Sequence, residues 1–337
     1  MKKNFSLDSK EILFIAEIGG NHEGDFNYAK RLVRDAISSG VQVVKLQTYY
    51  ADKLTNKLET PDRYNHFKKF ELSIKQHKYL AQMCIDNDVY YNSSIWDEEA
   101  FKKLDKYLNF YKIGSGDLTA LPLIQKFIDR QKPIILSTGL SDFKEIKNTV
   151  NFIKKNSFYK KKSNLALLQC TSCYPTIDEE VNLLAMNELK KICPIVGYSH
   201  HNKGDLAIKS AIALGAKIIE FHFTDTRKGK SFRDHKISLT KRETISLIDE
   251  AKRIKKFIRK DYSKPSINEV NSKHVISFRR GLFYKKNLKK GHLINQGDLI
   301  ALRPNLGFDP RNYTKVLGKK LKISVKKLSR INYSDIE

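Results

Sequence analysis

Eight short runs rich in apolar and β-branched residues recur through the first 225 residues, and the intervals between them carry helical spacing. The runs are Leu13–Ile18, Val41–Leu46, Val89–Asn92, Phe110–Ile113, Pro133–Leu136, Leu165–Leu168, Pro194–Tyr198 and Lys217–Phe223. After the first run, Ala29, Leu32, Val33, Ala36 and Ile37 fall on one face of a 3.6-residue period. Lys144–Ile153 and Lys209–Leu214 repeat that pattern. Strand and helix alternating eight times in about 250 residues predicts an α/β fold, a (β/α)8 TIM barrel. A doubly wound open sheet is the rival. It normally carries a glycine-rich phosphate loop after its first strand, and Ile18-Gly19-Gly20-Asn21-His22-Glu23-Gly24 does not match that fingerprint.

The alternation stops after Lys241–Ile258, an amphipathic helix. Asp261-Tyr262-Ser263-Lys264-Pro265-Ser266 reads as the start of a linker. The expected organisation is a catalytic barrel over residues 1–260, a linker over 261–274 and a small β-rich domain over 275–337. That last segment holds 15 Lys+Arg against 4 Asp+Glu by count along the sequence.

The whole chain of 337 residues has Lys+Arg 63 and Asp+Glu 37, a net charge of +26. Such a surface draws anions: nucleic acid, acidic membranes or phosphorylated substrates. The lysines lie in short clusters such as Lys160-Lys161-Lys162, Lys255-Lys256 and Lys289-Lys290 rather than one long tail, which suits solvated helix faces. No nucleic-acid-binding module is recognisable, so no nucleic-acid partner is expected. A hydrophobic fraction of 40% provides a core and excludes a disordered or fibrous chain. No apolar run reaches the roughly 18 residues of a membrane span, and the first residues lack the apolar core of an export signal. Four cysteines make no disulfide scaffold. A cytoplasmic protein without membrane partners is expected.

In a barrel of this kind chemistry gathers at the C-terminal ends of the strands, and those ends are polar here. They carry Glu17; Lys45 and Gln47; Ser93 and Ser94; Lys112 followed by Gly114-Ser115-Gly116-Asp117; and Ser137-Thr138-Gly139. The sixth gives Gln169 and Thr171, then Ser172 and Tyr174. The last two give Ser199 and His201, then Glu220 and His222. Serine and glycine at a strand end are also ordinary turn chemistry, and a single strand histidine is commonly a hydrogen-bonded core residue. Two lysines facing a barrel interior are harder to explain, because a buried unpaired ammonium costs several kcal/mol. With serines and glycine N–H groups beside them, they describe a phosphate or carboxylate site. His201 and His222 come from adjacent strands and can reach one metal ion. Glu17, Glu220 and Asp234 make the remainder oxygen-rich, which favours a hard or borderline divalent ion. Cys170-Thr171-Ser172-Cys173 has no matching second pair, and in an extended strand end its sulfurs face opposite ways.

Seven collinear segments together resemble the sialic acid synthase family: Ala16–Gly24, Val44–Thr48, Tyr111–Asp117, Ile135–Gly139, Gln169–Pro175, Gly197–His201 and Glu220–Thr224. The tail, with Arg279-Arg280, Leu288-Lys289-Lys290-Gly291 and Leu302-Arg303-Pro304, resembles the antifreeze-like (SAF) domain that ends these enzymes. The resemblance implies condensation of phosphoenolpyruvate with an N-acylated aldose to a nine-carbon 2-keto-3-deoxy acid, with release of phosphate. It implies a divalent ion, manganese or magnesium, on His201 and His222. Phosphoenolpyruvate contacts would be Lys45, Ser94, Lys112, Ser115, Ser137 and Ser199. Sugar contacts would be Glu17, Gln47, Asp117, Tyr174 and Asp234, with Arg303 arriving from the partner subunit of a domain-swapped homodimer. Glu17 or Asp117 would be the base or electrostatic stabiliser, with Lys112 beside the reacting atoms. The sequence departs from the family pattern at His200, Phe221, Ser172 and Ser231-Phe232-Arg233-Asp234-His235. Rival readings are a Schiff-base aldolase using Lys45 or Lys112, a basic nucleic-acid-binding protein, and a tail acting as a separate ice- or sugar-binding module.

Overall fold

The computed structural model describes residues 5–258 and 264–337. They form two compact units, divided between Ile258 and Arg259.

Eight parallel strands make the first unit: β1 (Leu13–Glu17), β2 (Val43–Thr48), β3 (Tyr90–Ile95), β4 (Tyr111–Ile113), β5 (Ile134–Ser137), β6 (Leu165–Cys170), β7 (Val196–His200) and β8 (Ile218–His222). Each expected run contains or overlaps one strand. The order is β3-β2-β1-β8-β7-β6-β5-β4, so β1 pairs with β8 and the sheet curls round on itself. Between β3 and β4 two side chains bridge to backbone. Asn92 Nδ2 donates to Phe110 O at 2.8 Å, and Ser94 Oγ donates to Lys112 O at 3.2 Å. This is the TIM barrel, and the open doubly wound sheet is excluded.

The period of two along each strand explains the site. Ile15, Val43, Phe110, Ile135, Leu168 and Ile218 pack together as an apolar floor inside the barrel. Two residues further along most strands, the same inward face turns polar: Glu17, Lys45, Lys112, Ser137 and Glu220. The opposite faces, with Ala16, Val44, Leu136 and Phe221, bury against the surrounding helices. β7 and β8 lie close because Gly197 has no side chain: an added Cβ would sit 2.1 Å from Ile218 O.

Helices follow the strands, so their N-termini lie at the polar end. The helix α1 (Phe26–Ser38) is capped by Asp25, whose carboxylate accepts from Tyr28 N. Ser73, Asp142 and Thr240 form capping boxes at the starts of three others. Two extra helices, α2 (Ala51–Leu54) and α3 (Pro61–Phe70), are inserted after β2. No helix among the described residues is long and apolar enough to cross a membrane.

The expected linker 261–274 is not plain coil. Residues 261–263 lie outside the described residues, but Ile267–Asn271 and the segment from His274 to Ser277 are helical, the former opened by a Ser266 capping box. The second unit then forms an antiparallel pair, β9 (Gly281–Tyr284) and β10 (Leu299–Leu302), over a core that includes Leu282, Tyr284, Phe308, Val316 and Ile331. Asp298 is buried beneath it, held by Lys286 Nζ and His292 Nε2, each at 2.8 Å, and by the Asn295 N–H at 2.9 Å.

Candidate active site

The polar strand ends open into a cavity of about 440 Å³. Glu17, Lys45, Gln47, Ser94, Lys112, Ser115, Asp117, Ser137, Ser172, Tyr174, Ser199, His201 and His222 all line it. Asp234 lines a second chamber of about 520 Å³, which shares Gln47, Tyr174 and His222 with the first. Arg303 lies in the second unit, where its guanidinium sits over the Phe278 ring.

The two lysines are not unpaired. Lys45 Nζ donates to Glu17 Oε2 at 2.5 Å and lies 3.3 Å from Glu220 Oε1. Lys112 Nζ reaches Glu220 Oε2 at 3.1 Å, Ser137 Oγ at 2.7 Å and Ile113 O at 3.3 Å. All four charged side chains are buried. Sequence reasoning named Glu220 only as a possible metal oxygen, whereas it spans both ammonium groups and accepts from Ser199 Oγ at 3.0 Å. Burial pushes Glu220 up, but Lys112 and Lys45 overcome it and hold the carboxylate well below its usual range. Glu17 is pushed the other way: burial raises it against the pull of Lys45, and the Glu220 charge adds to the rise. Lys45 is raised, its burial being outweighed by the two carboxylates.

A second cluster surrounds the histidines. His201 Nδ1 lies 2.8 Å from Thr171 O, an acceptor, so this nitrogen carries the proton. Burial lowers His201, but Cys170, the Thr171 carbonyl and Glu220 outweigh it and raise the imidazole above its usual value. Cys170 Sγ lies 3.6 Å from the same Nδ1. The His201 and His222 rings are 5.4 Å apart, with the Tyr174 ring 4.2 Å from His201. His222 Nδ1 is buried without a hydrogen-bond partner and stands 3.6 Å from Asp234 Oδ2. Burial, with His201 and Lys45 nearby, holds His222 well below its usual value, in the neutral form that binds metals. Among the described residues no group of three His, Cys, Asp or Glu side chains is arranged to hold an ion. Two imidazoles alone would suit an open site rather than a closed structural one. Glu17 and Glu220 are taken up by the lysines, which leaves Asp234 as the nearest carboxylate.

Close approaches explain the glycines. Gly19 has φ +55°, and a Cβ there would come 3.3 Å from Glu17 Oε1. At Gly139 it would meet Ser172 Oγ at 2.6 Å and Ser115 Oγ at 2.9 Å. The Gly139 N–H donates to Ser115 Oγ at 3.1 Å. Asp117 accepts from Trp96 Nε1 at 2.6 Å.

Two expectations need correction. Gln169 does not face the cavity; it points outward towards Val181 O, and its neighbour Cys170 is the inward residue. His200 and Phe221 are fully buried and line neither chamber, so these departures lie behind the strands. Arg63 and Phe67, on α3, Trp96, directly after β3, and Arg233, beyond β8, also line the cavity, and the strand-end pattern singled out none of them.

Strand-end lysines, carboxylates and histidines around one cavity define an enzyme built on a TIM barrel. More narrowly, the chain belongs to the NeuB family, whose model matches residues 32–262, and an SAF domain matches residues 279–337. It is similar to the N,N'-diacetyllegionaminic acid synthase of Campylobacter jejuni, with 36% identity over 92% of this chain and 96% of the relative. The pseudaminic acid synthase of Helicobacter pylori is 32% identical over 96% of this chain and 97% of its own. Among solved structures, the N-acetylneuraminic acid synthetase of Leptospira borgpetersenii, in complex with citrate, matches with TM-score 0.72 and 29% identity. The match covers 79% of this chain and 91% of that one. The relatives are named synthases, and this protein is an enzyme of the transferase type.

Proposed function

We infer that the enzyme condenses phosphoenolpyruvate with an N-acylated aldose and water, giving a nonulosonic acid and inorganic phosphate. The observation that carries this reading is the buried Lys45–Glu220–Lys112 cluster, ringed by Ser137 and Ser199 and opening onto the two histidines. The relatives named as legionaminic and pseudaminic acid synthases support it. A compact anion with phosphate and carboxylate ends suits the lysines and the Ser94, Ser115 and Ser137 hydroxyls, and Lys112 lies where it can hold it. Gln47, Tyr174 and Asp234 lie where the aldose would extend.

His201 and His222 would hold a divalent manganese or magnesium ion. Such an ion supplies Lewis-acid polarisation of a carbonyl oxygen. The chain's own groups supply the rest. Lys45, Lys112 and the serines fix C3 of the enol phosphate near the aldehyde carbon. The C2=C3 π electrons form the carbon–carbon bond there, leaving C2 electron-poor. Water adds at C2 and loses one proton to Glu17 or Asp117, which balances the proton taken up by the aldehyde oxygen. The C2–O bond to phosphate then breaks, the C2 hydroxyl proton passes to the departing phosphate, and the 2-keto acid remains. Glu17, raised by burial, is suited to exchanging a proton near neutral pH. Arg303, supplied by a partner subunit in a domain-swapped homodimer, belongs to the same proposal. Subunit exchange between His201→Ala and Arg303→Ala chains restores activity if it acts in trans.

The test is phosphate release from phosphoenolpyruvate across a panel of N-acylated hexoses. Aldose-dependent release is expected. Borohydride trapping of a lysine adduct without phosphate release would instead establish the Schiff-base aldolase.

A further inference from the structure

Arg233 and Asp234 reach the cavities from a 3-10 turn of five residues, Arg233–Ile237. The Arg233 guanidinium lies 4.8 Å from the centre of the Tyr174 ring, and Asp234 Oδ2 stands 3.6 Å from His222 Nδ1. A turn this short has poor internal hydrogen-bond geometry and cannot fix its own side chains. The next residue, His235, is fully buried and lines neither chamber. Its ring connects the turn to two other segments. Nδ1 lies 2.7 Å from Thr224 Oγ1, just beyond β8, and Nε2 lies 3.2 Å from Glu23 Oε1, in the loop between β1 and α1.

Proton bookkeeping gives these contacts a direction. Burial, helped by Lys230, outweighs Glu23 and lowers His235 below the usual histidine value, so one ring nitrogen is bare. A carboxylate only accepts, so Nε2 carries the proton and donates to Glu23. Nδ1 then accepts from the Thr224 hydroxyl, whose other acceptor, Thr226 O, is farther away at 3.0 Å. A second thread runs beside the first. Ser238 Oγ donates to Asp234 O at 2.6 Å and accepts from Asn21 Nδ2 at 2.8 Å. The loop after β1 thus grips the turn twice, at the Asp234 carbonyl and at the His235 ring. Glu23 makes its contact from a left-handed backbone, φ +52°, which glycine would adopt without strain. The backbone alone therefore gives no reason for a glutamate at this position.

We propose that Glu23 and His235 are positioning residues: the chain Glu23–His235–Thr224 holds the Arg233–Asp234 turn so that Asp234 faces His222. The proposal rests on the synthase reading above, in which Asp234 lies on the aldose side. Neither residue lines a chamber, so each acts through the turn and not on a substrate. None of these bonds involves Lys45, Lys112 or Ser137, which belong to β2, β4 and β5. Loosening the turn therefore disturbs the aldose and spares phosphoenolpyruvate.

The test measures phosphate release with each substrate varied in turn. Glu23→Ala and His235→Ala should each lower kcat/KM for the aldose by about 10- to 100-fold, the scale of a misplacement of about 1 Å. KM for phosphoenolpyruvate should stay as in the parent. The double variant should lose little more than either single one, because both break the same chain. Glu23→Gln should keep most of the activity, since an amide oxygen still accepts from Nε2. Glu23→Gly separates position from stability. It relieves the left-handed backbone, so it should unfold no earlier than Glu23→Ala, yet lose as much aldose kcat/KM. If His235→Ala does not fold, the three Glu23 variants carry the test. Unchanged aldose kcat/KM in folded Glu23→Ala, equal changes in KM for both substrates, or activity that follows thermal stability across the series would overturn the proposal and leave the synthase reading standing. Absence of aldose-dependent phosphate release in the parent enzyme would overturn both.

Discussion

Glu220 Oε2 lies 3.1 Å from Lys112 Nζ at the centre of the barrel, and the other oxygen of the same carboxylate faces Lys45. One anion thus serves two buried cations. Removing one partner of a buried pair typically costs about 3–5 kcal/mol, because the remaining charge stays buried. Glu220→Gln should therefore lower stability by about that amount in the free enzyme. Phosphoenolpyruvate, itself an anion for the same lysines, should restore part of the loss by binding the folded state. Chemical unfolding with and without phosphoenolpyruvate checks this: the ligand-induced gain should be larger in the variant than in the parent. An equal gain would place the ligand away from these lysines.

Lys112→Met tests the other side of that contact. The ammonium group donates to Ser137 Oγ and has a hydrogen-bonding neighbour in the cavity wall. Loss of a charge-assisted contact is worth about 1.5–3 kcal/mol, or roughly 10- to 150-fold in affinity. Titration calorimetry with phosphoenolpyruvate should show that weakening. Unchanged affinity would show that Lys112 serves only to neutralise Glu220.

The histidine pair makes a separate prediction. His222→Ala removes a buried imidazole whose Nδ1 has no hydrogen-bond partner. Manganese binding by calorimetry should be lost, and excess chelator should abolish turnover of the parent enzyme. Full turnover in chelator would remove the ion from the proposed chemistry.

How far the sequence speaks depends on which physical signal a residue leaves. The barrel is legible because strand and helix periods alternate without interruption. Lys45 and Gln47, two apart, share one strand face by their spacing alone. The pairing of Glu220 with both lysines leaves no such mark, because it depends on distances across the barrel axis rather than along a strand. The sixth strand misleads for a related reason. Leu165–Cys170 is buried on both faces, so no polar alternation marks its register, and the inward residue is Cys170 and not Gln169. The second chamber is less legible still. Tyr49 follows β2, Phe70 ends α3 and Phe232 lies beyond β8, so no single period along the sequence points these rings at one another.

Asp298 predicts a pH dependence in the second unit. Burial alone would raise its carboxyl, but the Asn295 N–H, Lys286 and His292 outweigh burial and hold it at about 2, against an ordinary 3.8. A depressed value means that the folded state favours the charged form. The stabilisation is complete above about pH 4 and is lost as pH falls towards 2. It amounts to about 2 kcal/mol. Asp298→Asn should therefore be less stable than the parent at pH 6, and the gap should narrow as pH falls from 4 to 2. Thermal unfolding of the full chain across that range measures it. A gap independent of pH would mean that packing, not charge, holds Asp298 in place.

The roles of Asp117 and Glu17 can be separated through Trp96. Burial raises Asp117 above the usual aspartate value, while the Trp96 hydrogen bond and Lys112 pull it back. Trp96 Nε1 donates to Asp117 Oδ2 at 2.6 Å, and a carboxylate is a far better acceptor for that bond than a carboxylic acid. Trp96→Phe removes the donor and keeps an aromatic ring in the cavity wall, so Asp117 should rise further. If Asp117 takes the proton from water, it must be ionised, and activity is lost as pH falls through its value. The acid limb of the kcat/KM profile should then move to higher pH in Trp96→Phe, with the plateau at higher pH largely kept. Asp117→Asn should lower kcat by about 100- to 10,000-fold, the usual range for a positioned acid or base. Glu17 has no contact with Trp96 in this arrangement; its partners are Lys45 and Gln47. An acid limb that stays in place in Trp96→Phe but disappears in Glu17→Gln would assign the proton transfer to Glu17 and leave Asp117 to hold the sugar.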